Sequence, residues 1–119
     1  MFGNKKTLDI GAQVETLIGP GTSVKGSLNS TGALRIDGQF DGDITTTADI
    51  IVGESGRVAA TVSAKNAVIA GAVTGNMDIG DKFELLPTAK VEGDLKVGVL
   101  IIGEGAVYKG NCAMRRSEE

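Results

Sequence analysis

Val24-Lys25-Gly26-Ser27-Leu28 is the first of six copies of one short pattern in this chain. The others are Phe40-Asp41-Gly42-Asp43-Ile44, Val58-Ala59-Ala60-Thr61-Val62, Val73-Thr74-Gly75-Asn76-Met77, Val91-Glu92-Gly93-Asp94-Leu95 and Tyr108-Lys109-Gly110-Asn111-Cys112. From one central residue to the next the steps are 16, 18, 15, 18 and 17. A near-constant period of this size marks a solenoid, in which a repeat buries its apolar face only against its neighbours. Within each copy the first, third and fifth residues are apolar or small and the other two are mostly polar. That is strand alternation with one face turned inward. The centre is Gly five times and Ala once. Because Ala60 is accepted there, the reading is a small inward group where the coil is narrow, not a positive backbone dihedral.

Between these copies lie runs rich in Leu and β-branched residues. Leu34-Arg35-Ile36-Asp37-Gly38, Ile50-Ile51-Val52-Gly53, Ala67-Val68-Ile69-Ala70-Gly71, Glu84-Leu85-Leu86-Pro87 and Leu100-Ile101-Ile102-Gly103 all stop at Gly or Pro, as short strands do at corners. Pro20 and Pro87 both fall at such corners, where a missing N–H does little harm. Eighteen glycines among 119 residues suit tight corners and not helices. The aromatics are Phe2, Phe40, Phe83 and Tyr108, as a thin core of stacked Val, Ile and Leu requires. No stretch shows a capped helical stripe. The expected fold is all-β: a single-domain parallel β-helix with about three short faces per coil. It occupies residues 16–114, between a flexible tail at 1–15 and a short one at 115–119.

Composition excludes several functions. Twelve Lys and Arg against fifteen Asp and Glu give a net charge of −3, with no basic stripe or stacking aromatics, so nucleic acid is not an expected partner. No histidine is present, which removes imidazole metal sites and His-based nucleophile relays. No catalytic, metal or cofactor site is read. Asp41/Asp43 and Glu92/Asp94 are placed together on the outer, solvated face of one strand, as solubilising charges. Gly19-Pro20-Gly21 and Gly103-Glu104-Gly105 complete no phosphate-binding pattern and lead into no helix. Thr45-Thr46-Thr47 does not recur as a column. Cys112, the single cysteine, takes inward parity in the last coil and is read as a small core residue, in keeping with a reducing compartment. Neither a secretory signal nor an apolar stretch long enough to span a bilayer is found. A left-handed hexapeptide acyltransferase is the enzyme alternative, but its strict six-residue units and histidine are missing. A monomeric adaptor presenting one β-face is the other.

The ends carry the functional signal. Terminal coils of a solenoid expose apolar side chains and unpaired backbone unless something covers them. No capping helix is read at either end, so other copies of the chain are expected there. The expected contacts are Leu17, Ile18, Val24 and Leu28 at the first end and Leu100, Ile102, Val107, Tyr108 and Met114 at the last. The set is deliberately broad, since some of these point into their own core.

The small-residue ladder, the uncapped coil and the opening Met1-Phe2-Gly3-Asn4-Lys5-Lys6 together resemble the bactofilins, a family of bacterial cytoskeletal proteins. The resemblance covers essentially the whole chain and lies in the combined pattern, not in any single motif. It implies a right-handed triangular β-helix of about six windings. It also implies polymerisation without nucleotide into apolar filaments, through N-end to N-end and C-end to C-end contacts. The family lies on the inner face of the cytoplasmic membrane and scaffolds cell-wall-modifying enzymes and cell shape. Met1 and Phe2 would then dip into the interface while Lys5 and Lys6 meet anionic lipid headgroups, each lysine contributing about 1 kcal/mol.

Overall fold

In a computed structural model of the chain, residues 14–114 are described. The expected membrane contacts Met1, Phe2, Lys5 and Lys6, and the segment 115–119, lie outside those residues. Thirteen strands follow one another, with no helix among the described residues. They are β1 (Val14–Ile18), β2 (Ser23–Ser30), β3 (Ala33–Ile36), β4 (Gln39–Thr46), β5 (Asp49–Val52), β6 (Arg57–Ala64) and β7 (Asn66–Ile69). After them come β8 (Ala72–Thr74), β9 (Met77–Leu85), β10 (Lys90–Glu92), β11 (Leu95–Ile102), β12 (Val107–Lys109) and β13 (Cys112–Met114). The first strand begins at Val14, two residues inside the expected tail.

Every pairing is parallel, and each strand lies on one about a turn away in sequence. The result is a three-sided parallel β-helix of six rungs. The first flank stacks β1, β3, β5, β7 and the C-terminal parts of β9 and β11. The second stacks the leading halves of β2, β4 and β6 with β8, β10 and β12. The third stacks the trailing halves of β2, β4 and β6, the leading parts of β9 and β11, and β13.

Inward columns make the core. Ile18, Ile36, Val52, Ile69, Leu85 and Ile102 form one of them, and Val24, Phe40, Val58, Val73, Val91 and Tyr108 form another. In the middle rungs these side chains are almost wholly buried. Each contributes roughly 1.5–3 kcal/mol by leaving water. Thr46 is the polar exception. Its hydroxyl donates to the Gly32 carbonyl at 2.8 Å and accepts from the Ala48 N–H at 3.1 Å, so the corner needs no solvent. Thr46 is therefore a corner device, while Thr45 and Thr47 are exposed.

The glycine ladder corrects the sequence reading. Gly26, Gly42, Gly75, Gly93 and Gly110 all have φ between +131° and +136°, a region side-chain-bearing residues rarely enter. They sit where the chain bends from the second flank to the third. From Gly42 onward, a methyl added to any of these glycines would collide with the carbonyl oxygen of the rung before. Conformation and close backbone approach together demand glycine. Ala60 escapes both: its rung runs through the corner as a regular strand, with negative φ and its methyl buried in the core. The same bend parts the carboxylate pairs. Asp41 and Asp43 share β4 but stand on different flanks, as Glu92 and Asp94 do across Gly93.

Candidate functional site

A rung is satisfied only when another lies on each side of it. Among the described residues, β1 pairs with β3 alone and β2 with β4 alone, while β12 pairs only with β10 and β13 only with β11. The solenoid thus presents two triangular rims, each a strand edge turned away from its own neighbours.

At the first rim the inward side chains are Thr16, Ile18, Val24, Leu28 and Ser30. Ile18 is only 7% exposed, and Val24 and Leu28 are half-buried. Leu17 is 62% exposed but for a different reason. It pairs with Arg35, which places it on the outward side of the first flank and not over the core. At the last rim the inward residues are Leu100, Ile102, Tyr108, Cys112 and Met114. Ile102 and Met114 expose 51% and 54% of their surface, against 0% for Leu85 and Val97 directly beneath them. Leu100 and Tyr108 are half-buried. Val107 pairs with Lys90 and, like Leu17, faces outward at the margin.

Cys112, expected in the core, is exposed. Its parity is inward, above Leu95, but no described rung covers it. Position in the stack decides exposure here, not parity, and that signal was available in the sequence: Cys112 belongs to the last copy of the repeat.

Tyr108 is the polar member of the last rim. Its hydroxyl lies 2.9 Å from the Gly93 carbonyl and also reaches the Asn111 carbonyl, its one proton serving either acceptor. Burial raises its pKa above the ordinary tyrosine value, and electrostatic interaction with Cys112 and Asp94 adds to the effect. The group stays a hydroxyl donor and pins the ring across the open end. Among the described residues no group of three or more His, Cys, Asp or Glu is placed to hold a metal ion. Among them, too, no helix is long and apolar enough to cross a membrane. The arrangement is suited to burying apolar surface against a matching surface.

A family model described as Bactofilin, polymer-forming cytoskeletal, matches residues 16–113. The chain is 37% identical to bactofilin BacO of Myxococcus xanthus (strain DK1622) over 103 residues, covering 87% of this chain and 82% of that protein. It is 33% identical to bactofilin BacP of the same organism over 110 residues, which is 92% of this chain and 46% of BacP. The chain therefore spans about half of BacP's length. No solved structure matches it.

Proposed function

Given that this chain belongs to the bactofilin family of polymer-forming cytoskeletal proteins, we propose that its protomers join rim to rim, like end to like end. They do so without nucleotide, and the filament is a structural scaffold, not an enzyme. The observation that carries this reading is the open last rim, where Ile102 and Met114 expose half their surface while the side chains beneath them are sealed. A two-fold axis perpendicular to the solenoid turns one rim onto its own copy. The facing strands then run antiparallel, a direction in which sheet hydrogen bonds form readily. Burying a few large apolar side chains per rim, at roughly 1.5–3 kcal/mol each, favours association before entropic costs are subtracted.

The membrane part of the reading rests on Met1, Phe2, Lys5 and Lys6, which lie outside the described residues. One such tail binds anionic lipid feebly, and many on one filament bind with avidity. Placed on the inner face of the cytoplasmic membrane, the filament would organise cell-wall-modifying enzymes. Electron microscopy of the purified chain without nucleotide tests the polymer: long filaments are expected, and Tyr108→Arg should abolish them while leaving the fold intact. Long Tyr108→Arg filaments would contradict the rim assignment. Phe2→Ser should release filaments from anionic liposomes without dissolving them, and unchanged co-sedimentation would refute the anchor.

A further inference from the structure

The outer wall of the first flank is unusually apolar for solvated sheet. Its central outward column reads Leu17, Arg35, Ile51, Val68, Glu84, Ile101 from the first rung to the sixth. Leu17 and Ile101 are exposed, and Ile51, Val68 and Glu84 are half-buried. Ala70 and Leu86 join Ile51 and Val68 on the apolar side of a depression of about 560 Å³, whose other side is polar, with Arg35, Asp37, Glu54 and Ser55. The third flank differs: its outward positions are Ser, Thr, Asn and Asp with Lys96 and Ala113. Apolar side chains gathered on this wall and interrupted in the central column by Arg35 and Glu84 mark a contact surface.

The order of residues in the column says what covers it. From either end it runs apolar, charged, apolar, apolar, charged, apolar, and the two charges are opposite. Take a second copy turned end for end, about a two-fold lying along the strands between the third and fourth rungs. Leu17 then faces Ile101, Arg35 faces Glu84 and Ile51 faces Val68, each contact made twice. A second copy running the same way, in register, would instead set Arg35 against Arg35 and Glu84 against Glu84. Like charges face to face at a contact suppress that arrangement.

The surroundings agree with the inverted pairing. Arg35 is held by Asp37 at 2.9 Å through Nε, and its side chain stays 45% exposed. Its guanidinium keeps donors beyond Nε that a carboxylate can take. In the neighbouring outward column, Asp49, Asn66 and Lys82 stack on successive rungs. Inversion places Asp49 against Asn66, one rung from Lys82, so no like charges meet in that column; on the other side Arg35 stands between its own Asp37 and the incoming Glu84. We infer that the first flank is a lateral interface on which a second copy of this chain docks antiparallel, through Ile51–Val68 at the centre and Arg35–Glu84 on either side. The contact does not depend on rim-to-rim stacking. It is also compatible with it, because a filament of alternating protomers offers inverted neighbours.

The test is a charge swap, read in two ways. Filaments of the full chain are examined by electron microscopy at low salt for lateral pairing. In a Tyr108→Arg background, sedimentation velocity measures self-association without stacking at the last rim. Paired filaments are expected for the natural sequence. Arg35→Glu and Glu84→Arg should each give single filaments and association at least about tenfold weaker. The double variant Arg35→Glu/Glu84→Arg should restore both. Its recovery also shows that a carboxylate at position 35, beside Asp37, does not unfold the chain. Pairing that survives either single reversal, or that the double variant fails to restore, overturns the inference. So do single filaments of the natural sequence at low salt. An Ile51→Asp variant that loses binding to anionic vesicles while pairing normally would assign the wall to lipid and overturn it as well.

Discussion

The two rims are built from the same columns, yet they are not equivalent. The same inward column gives Ile18, 7% exposed, at the first rim and Ile102, 51% exposed, at the last. The column through Leu28 ends in Cys112, and the column through Ser30 ends in Met114, so the last rim replaces a polar group with an apolar one. The last rim is the larger apolar surface and is braced by the Tyr108 hydroxyl. The first is smaller and partly closed. In a polymer made of like-end contacts, this difference predicts a stronger junction at the last rim.

The largest expected effect breaks that junction. Ile102→Asp places a charge in the centre of the last rim, where half the side chain is already solvated, so the protomer should fold normally. Elongation should stop. Light scattering after size exclusion should show a discrete dimer joined at the first rim, or a monomer if that junction is weak at the working concentration. The mirror variant Ile18→Asp should behave differently. Its carboxylate would replace a side chain packed beneath the corner, so loss of helix stability accompanies loss of assembly. A calorimetric melting temperature separates the two rims: lowered by many degrees for Ile18→Asp and little changed for Ile102→Asp. Equal losses would remove the asymmetry.

The next effect compares a middle rung with an end rung of one column. Phe83 is fully buried beneath Leu100. Phe83→Ala should cost about 3–5 kcal/mol of protomer stability, measured by denaturant unfolding in an assembly-blocked background. Leu100→Ala should cost about 1 kcal/mol there, since its side chain is covered on one side only, and should chiefly raise the concentration needed for filaments. The glycine ladder extends the comparison. Gly42→Val needs φ near +131° and drives its side chain into the Gly26 carbonyl, costing upwards of about 3 kcal/mol. Gly26→Val, with no described rung before it and open space around its Cβ, meets only the strained φ and should cost less. The smallest effect belongs to Leu17→Asn, which should leave end-to-end elongation unchanged because that side chain faces outward.

Much of this was legible in the sequence. The six five-residue copies supplied the number of rungs, the parity within each copy identified the inward columns, and variable corner lengths explained the drifting period. Two things were not, and a third was misread from alternation alone. Ala60 hid the positive φ of its glycine neighbours, because one rung turns the corner in another conformation and sequence cannot show whether the single Ala shares its column's backbone or departs from it. Leu17 and Val107 fall among the expected rim contacts because β1 has no central glycine to set its parity, and Val107 stands one residue before its copy's inward Tyr108. Their outward direction follows only from pairing with Arg35 and Lys90. Cys112 had the right parity and the wrong surroundings, since alternation reports direction and says nothing about whether another rung lies above.

The most direct test is a cryo-electron-microscopy map of the filament at side-chain detail. Like-end joining predicts an axial repeat of two protomers with two-fold axes perpendicular to the filament, Tyr108 and Ile102 of one copy facing their own counterparts at every second junction. A polar repeat of one protomer, with the last rim seated on Ile18 and Val24 of the next copy, would contradict it.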